Sequence, residues 1–441
     1  MSRKDIYKGG RPVYIVEGIR TPFLKARGKP GPFTASDLAV AAGKALLLRQ
    51  PFSAEELDEV VLGCIIPGPD EANIARVVAL RLGCGKAVPA WTVQRNCGSG
   101  MQALDSAAMD IAFGRSDLVL AGGTEAMSHA PLILNDAMVT LLGEWGRAKS
   151  RWEKLRLLGR LRPSHFRPIV ALIRGLTDPN TGLSMGQTAE NLAHRFQISR
   201  EQMDAYALES HRRLWRAHSE GRLTEIIQVY DTYANFYDHD EGVRPDSNMD
   251  DLARLKPVFD PPFGLITAGN SAQISDGASW LILASAQALK KYHLPVMGRI
   301  VDSEWAGVEP DQMGLGPVHA MAPIMKRQCL GSDDVDYWEI NEAFAAQVLA
   351  CQEAWKSPEY CKSELGQDLP FAAIDPGRLN VDGGAVAIGH PVGASGARIV
   401  LHLIHLLQTN NARLGMASLC IGGGQGGAML IEQCVEALNG D

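Results

Sequence analysis

Three observations on the sequence predict an α/β fold built from two similar halves. Short apolar runs of strand length alternate with helical patterns over nearly the whole chain, the signature of a largely buried sheet covered by helices. The order of these pieces occurs twice, once before residue 127 and once after residue 288. The 441 residues are 46% hydrophobic and 21% charged, ordinary for a globular chain with a sizeable core and long enough for two or three domains.

The elements follow in order. Arg-Pro-Val-Tyr-Ile-Val (11–16) reads as a first strand, ASDLAVAAGKALLL (35–48) as a helix, and SAEELDEVVLGCII (53–66) leads into a strand. A helix with an Asn near its start follows (EANIARVVALRLG, 71–83), then a β-prone run that meets Gly-Ser-Gly and an Ala-rich helix at Cys97, then the strand SDLVLAGGTEAM (116–127). In the second copy GPVHAMAPIMKRQCLG (316–331) is a helix, SDDVDYWEINEAF (332–344) a strand and turn, and AAQVLACQEAW (345–355) a helix. An Ala/Val/Ile strand then leads to His390 and its helix, and LGMASLCIGGGQGGAMLIE (414–432) closes the chain's pattern. This gives an N-terminal half over 1–127, completed by 252–287, a C-terminal half over 288–441, and an insertion over 128–251.

The insertion is unlike the rest. Between 141 and 176 nine Arg or Lys stand against Glu144 and Glu153, in a chain whose net charge is −7. Trp145, Trp152, Leu155, Leu158 and Leu161 recur among them at helical spacing. A solvated basic face over the core is one reading; a surface for CoA phosphates, a partner subunit or an acidic membrane face is the other. Residues 185–221 read as two helices joined at Ile198-Ser199-Arg200, with Ser199 and Gln202 spaced as a capping box.

Composition excludes several classes. The acidic balance gives no overall attraction to nucleic acid, and no run approaches the ~18 apolar residues of a membrane span. The N-terminus lacks a secretory apolar core, so a cytoplasmic protein is expected. Eight cysteines without CxxC spacing point to neither a disulfide framework nor a metal site. Gly422-x-Gly424-x-x-Gly427 fits a dinucleotide fingerprint, but the chain ends too soon after it for the second strand and its acidic residue.

What remains is chemistry by thiol. Cys97 falls at a helix N-terminus, where the dipole and free N–H groups favour a thiolate and are expected to bring its pKa below the free value of about 8.5. Cys420 precedes a Gly-rich turn, and His390 stands in Gly389-His390-Pro391, where glycine and proline let the backbone enter a crowded site. Two cysteines and a histidine, each beside glycine, suggest acyl transfer through a thioester.

The motifs SGMQA, AGGTEAMS, MGQTAENLA, TAGNSAQISDGA, NEAFAAQ, GHPVGASGAR and CIGGGQGG, in this order and over essentially the full length, resemble the thiolases. The resemblance implies two βαβαβαββ halves packed as a five-layer αβαβα core with an inserted loop domain. It implies an acyltransferase that needs no cofactor, with coenzyme A and acyl-CoA as substrates and products, and a homodimer or homotetramer. Cys97 would accept the acyl group, His390 its proton, and Cys420 would shuttle protons at the acetyl-CoA α-carbon, its pKa tuned towards neutral. His390 and a water held by Asn341 would form one oxyanion hole, and the N–H groups of Cys97 and Gly422 the other. Phe344 with Met185 or Met313 would line the acyl and pantetheine channel, and Ala268, Gly269 and Ala272 the CoA mouth.

Two departures bear on the subfamily. Ala272 stands where compact acetoacetyl-CoA thiolases carry serine. The long basic insertion resembles thiolase β-subunits of fatty-acid-oxidation complexes, which usually have His in place of Asn341. A broad-range or longer-chain 3-ketoacyl-CoA thiolase is the expectation, with a short-chain acetoacetyl-CoA thiolase and a non-catalytic β-oxidation subunit as alternatives. Ketoacyl and hydroxymethylglutaryl-CoA synthases share the fold but lack the second cysteine before GGGxG, so Cys420 separates them.

Overall fold

The computed structural model describes residues 7–434. The first half runs β1 (Val13–Arg20), β2 (Leu24–Lys25), α1 (Ala35–Leu47), β3 (Glu59–Gly63), α2 (Ile74–Leu82), β4 (Ala90–Val93), α3 (Ser99–Ala112) and β5 (Leu118–Ala126). The insertion holds β6 (Leu132–Ile133), α4 (Asp136–Arg147), α5 (Arg151–Leu158), β7 (Ile169–Val170), α6 (Ala171–Gly175), α7 (Met185–Arg195), α8 (Arg200–Ser219), β8 (Val229–Tyr230), β9 (Phe236–Tyr237) and α9 (Met249–Ala253). The chain continues through β10 (Ser275–Ala284), α10 (Ala286–Tyr292), β11 (Gly298–Gly307), α11 (Gly316–Gln328), β12 (Tyr337–Ile340), α12 (Ala345–Lys356), α13 (Pro358–Ser363), α14 (Ala385–Ile388), α15 (Val392–Thr409), β13 (Leu414–Ile421) and β14 (Gln425–Gln433).

The strand order is β12-β13-β14-β11-β1-β10-β5-β3-β4, with β2 on β10. The strand that follows the insertion, β10, lies between β1 and β5. The two halves join through three antiparallel residue pairs between β1 and β11, Val13 to Ile15 against Ile300 to Gly298. Helices α1 and α2 pack outside the first half and α11 outside the second, while α3 and α15 lie against each other and against strands of both halves. Three apolar clusters match these layers, two outer ones and a central one built on α3 and α15. The apolar run of α15 is buried nearly from end to end, as an all-round apolar helix must be. Its approach to α3 depends on glycine: a Cβ at Gly396 would stand 2.5 Å from the Met101 nitrogen, and one at Gly100 would stand 2.8 Å from the Gly393 oxygen.

The βαβαβαββ pattern is complete in the first half and shortened in the second. Where the third strand of the second half is expected there is a single parallel bridge, Trp338 to Leu379. The Ala/Val/Ile run before His390, expected as a strand, is the one-turn helix α14. Gly383 (φ 79°) and Gly389 (φ 110°) bracket it, and left-handed backbone at both ends interrupts an extended ladder. Both insertion helices predicted over 185–221 form, and Ser199 and Gln202 make the capping box.

A buried ion-pair cluster ties the insertion to the core. The Arg20 guanidinium on β1 grips Asp240 at 2.7 and 2.8 Å and stands 3.5 Å from Glu225, which pairs with His402 of α15 at 3.0 Å. Removing one member of such a set strands a buried charge, so these residues act as a unit.

Candidate active site

Cys97 sits between the end of β4 and the first turn of α3, one residue before the N-cap Gly98. The elbow is tight. Asn96 adopts φ 42°, a left-handed conformation Asn tolerates better than most residues, and Ser99 Oγ accepts from the Arg95 N–H at 2.8 Å while donating to the Asn96 carbonyl at 2.8 Å. Asn96 Nδ2 donates to the Gly422 carbonyl at 2.8 Å, which fixes the turn between β13 and β14 beside the thiol. That turn joins two antiparallel strands, Cys420 pairing with Gly426, so the GxGxxG match is a hairpin with no helix after it.

Both thiols lie higher in pKa than the sequence suggests. Burial pushes the Cys97 thiol up, and the nearby N–H groups of Gly422 and of Cys97 itself pull it only part of the way back. Desolvation here outweighs the pull of the helix terminus on the thiol. Cys420 near the end of β13 is buried, and both burial and its closeness to Cys97 push it well above the ordinary thiol value rather than towards neutrality.

His390 is held on three sides. Its N–H donates to the Gln273 carbonyl at 3.0 Å and to Ser275 Oγ at 2.9 Å, and its Nδ1 meets Ser395 Oγ at 2.6 Å. The Ser395 hydroxyl spends its one hydrogen on the Pro391 carbonyl at 2.9 Å, so it accepts from Nδ1–H. The tautomer is thereby set: Nε2 carries the lone pair, and it is buried with no protein partner among the described residues. Burial, reinforced by Arg398, pushes the imidazole down to about 4, so it is neutral near pH 7. Glycine at 389 is required, since a Cβ would stand 2.2 Å from Ser275 Oγ.

Asn341 is fully buried, and among the described residues neither end of its amide has a protein partner. Buried polar groups are normally satisfied, so the free atoms of His390 and Asn341 are available to polar atoms of a ligand. A Cβ on Gly422 would lie 3.1 Å from the Met185 sulfur, so Met185, at the start of α7, borders the nucleophile's turn. Met313, Phe344 and Cys420 share one apolar cluster with Met185 at its margin, and Phe344 meets Phe259 edge to face at 5.9 Å. The 267–273 loop runs against the Asn341 turn, with the Ala272 N–H donating to the Ala343 carbonyl at 3.0 Å. Of its predicted CoA contacts, Ala268 is exposed and Ala272 half-buried, whereas Gly269 is buried against Leu252 and Leu255.

Two family models cover this chain: the thiolase N-terminal domain matches residues 13–287 and the thiolase C-terminal domain residues 294–433. The chain belongs to the thiolase family. It is an acyltransferase. It is 38% identical to a beta-ketoadipyl-CoA thiolase of Pseudomonas aeruginosa, over 96% of this chain and 99% of that one. It is equally identical to the mitochondrial 3-ketoacyl-CoA thiolase of Bos taurus, over 96% and 98%. The human mitochondrial 3-ketoacyl-CoA thiolase in complex with CoA superposes with a TM-score of 0.81 at 36% identity, covering 96% of this chain and 98% of that one. The Bacillus anthracis acetyl-CoA acetyltransferase superposes at 0.83 and 36%, covering 96% and 99%.

Two buried carboxylates of this thiolase, inside the AGGTEAMS and NEAFAAQ motifs, shape the site without any local sequence pattern that assigns them a role. Glu125, of AGGTEAMS, accepts the N–H groups of Ile65 and Ile66 at 3.0 and 2.9 Å and that of Gly393, in the first turn of α15, at 3.1 Å. Burial raises it to about 7 against these donors. Glu342, beside Asn341, accepts from Tyr206 and Ser210 of α8 at 2.9 and 2.7 Å and from the Val386 N–H at 3.2 Å, so the insertion buttresses the approach to His390. The signal was an acidic residue inside an otherwise apolar run, which is costly unless the fold uses it. Glu125→Ala, leaving three N–H groups unpaired, is expected to destabilise by about 1–3 kcal/mol per unmade bond and to lower kcat, with partial recovery in Glu125→Gln. Thermal melts and steady-state rates of the two variants check this.

Proposed function

We propose that this thiolase cleaves straight-chain 3-ketoacyl-CoA by a ping-pong route through an acyl group on Cys97. The observation that carries the roles is the His390 tautomer, which leaves a neutral Nε2 whose lone pair can take a thiol proton. As Cys97 Sγ attacks the keto carbon, its proton passes to His390 Nε2. The new Nε2–H and a water on Asn341 then hold the enolate oxygen of acetyl-CoA as the Cα–Cβ bond breaks. Cys420 gives its proton to the enolate carbon and becomes a thiolate. CoA-SH returns a proton to Cys420, its sulfur attacks the thioester at Cys97, and His390 hands the first proton back to the departing Cys97 sulfur. The N–H groups of Cys97 and Gly422 stabilise the oxyanion on the acyl carbon, and their nearness to the Cys97 sulfur supports that role.

Three relatives carry beta-ketoadipyl-CoA in their names and a fourth 3-oxoadipyl-CoA, substrates ending in a carboxylate. Met313 and Phe344 share an apolar cluster with Cys420, Met185 and Phe259 pack at its margin, and Ile421 belongs to the cluster that Cys97 borders, apolar surroundings that favour hydrocarbon acyl chains. The proposal includes a cytoplasmic enzyme of fatty-acid oxidation and at least a homodimer. Support for the dimer is β4 at the end of the sheet, with an open edge and a part-exposed Trp91. Thiolysis of saturated 3-ketoacyl-CoAs from four to sixteen carbons, and of beta-ketoadipyl-CoA, with intact-mass detection of acyl-Cys97, tests the reading. A maximum on saturated chains longer than four carbons is expected. A maximum at four carbons would make this an acetoacetyl-CoA thiolase, and preference for the dicarboxylic substrate would overturn the apolar assignment.

A further inference from the structure

The insertion's first lobe, residues 132–175, is not explained by catalysis. Its helices already have a buried stripe each, Met138 and Leu141 on α4 and Leu157 on α5. Each carries a second apolar stripe that faces out: Val139 and Leu142 on α4, and Trp152 and Leu155 on α5, the last two 80% and 58% exposed. A helix of a globular domain needs one such stripe, and a concentration of exposed apolar side chains marks a contact surface.

The charges select the partner. Glu144 pairs with Arg160, and Glu153 is occupied at the start of α5, accepting the Lys149 and Ser150 N–H groups at 2.8 and 3.2 Å. Arg147, Arg156 and Arg160 line a cavity of about 510 Å³ between α4 and α5, and Arg156 enters no ion pair among the described residues. On α5 the order Arg151-Trp152-Glu153-Lys154-Leu155-Arg156 interleaves cations with exposed apolar groups. Cores of protein interfaces are depleted of charge, whereas helices lying at a bilayer surface combine an apolar stripe with Arg and Lys that reach lipid phosphates. Among the described residues no helix is long and apolar enough to cross a membrane, so the lobe would lie on the surface.

We propose that this lobe docks the enzyme on an anionic membrane surface, with Trp152 and Leu155 entering the boundary between headgroups and acyl chains and Arg147 and Arg156 holding lipid phosphates. The proposal is independent of the substrate assignment. Full-length enzyme is to be co-sedimented with phosphatidylcholine vesicles and with equimolar phosphatidylcholine and phosphatidylglycerol vesicles. Binding to the anionic vesicles alone is expected, weakened by salt. The W152S/L155S variant is expected to bind roughly tenfold less while its thiolysis of a soluble short-chain substrate is unchanged, since neither residue belongs to the catalytic machinery. R147Q/R156Q is expected to lose preference for the anionic vesicles. Equal sedimentation of wild type and W152S/L155S, or none with anionic vesicles, would overturn the proposal. So would displacement by inorganic phosphate with W152S/L155S unaffected, which would leave a phosphate site only, or self-association lost in that variant without vesicle binding.

Discussion

Cys97→Ala abolishes thiolysis while leaving the fold in place. The change removes one sulfur atom from a half-buried residue at the edge of the central cluster, and the elbow around it is held by Asn96, Ser99 and the Arg95 backbone rather than by the thiol. The loss of stability should therefore stay near 1 kcal/mol or less, a Tm shift of about 2 °C. The catalytic loss is of another order, because no other group stands at the helix start to accept the acyl chain. Cys420 is buried near the end of β13, and its thiol is pushed well above the ordinary value. Loss of a covalent nucleophile costs at least about 10⁴-fold in kcat, and the acyl adduct seen by intact mass should vanish with it. A variant that keeps a rate within about tenfold of wild type would show that the acyl group is carried elsewhere.

His390→Ala removes two functions at once, the acceptor of the thiol proton and the later donor to the enolate oxygen. General-base and oxyanion contributions of about 10²–10⁴ and 10²–10³ place the combined loss near or above 10³-fold, short of their product because the two roles share one nitrogen. Since the Cys97 thiol is raised by burial, its reaction with iodoacetamide should also slow in this variant, which separates loss of activation from loss of substrate binding. The wild-type pH profile follows from the same groups. The productive form has His390 neutral, and with its pKa held down to about 4 the acid limb of kcat/KM should lie near there, well below the 6.5 of an ordinary imidazole. Activity falls as pH drops through that value and imidazolium forms. On the alkaline side the raised Cys97 thiol keeps the neutral pair in place past the ordinary thiol range, so a plateau that starts at about pH 5 and extends into alkaline solution is expected. Rates of thiolysis across that range decide it; an acid limb near 6.5 would mean that His390 is hydrated before substrate binds.

Much of this was legible in the chain because it is local. The start of α8 announced itself through Ser199, which bonds backbone a few positions on, and in the structure Thr34 before α1 and Ser184 before α7 act in the same way. The elbow at Cys97 and the turn at Gly422 to Gly424 follow from glycine and apolar runs that can be read residue by residue. The strand expected before His390 was misread because Ala, Val and Ile in a short run suit either a strand or a buried helical turn, and the glycines at both ends decided for the turn. The second half's third strand shrank to a bridge at Leu379, a difference no periodicity could signal.

What the sequence determined by itself is the set of parts: the α/β order, the duplicated plan, the nucleophile at a helix start, and a basic, apolar-studded insertion. Tertiary structure decided their chemistry. Cys420 and the Gly422 turn come beside Cys97, and the start of α15 that follows His390 packs on α3, with Gly100 and Gly396 allowing the approach. Ser395 fixes the His390 tautomer, Glu125 and Glu342 brace its backbone, and burial raises both thiols against the helix dipole. Propensity and pattern act over a few residues and can be read along the chain. Desolvation and hydrogen-bond partnership depend on what surrounds a group in space, and so they appear only once the chain has folded.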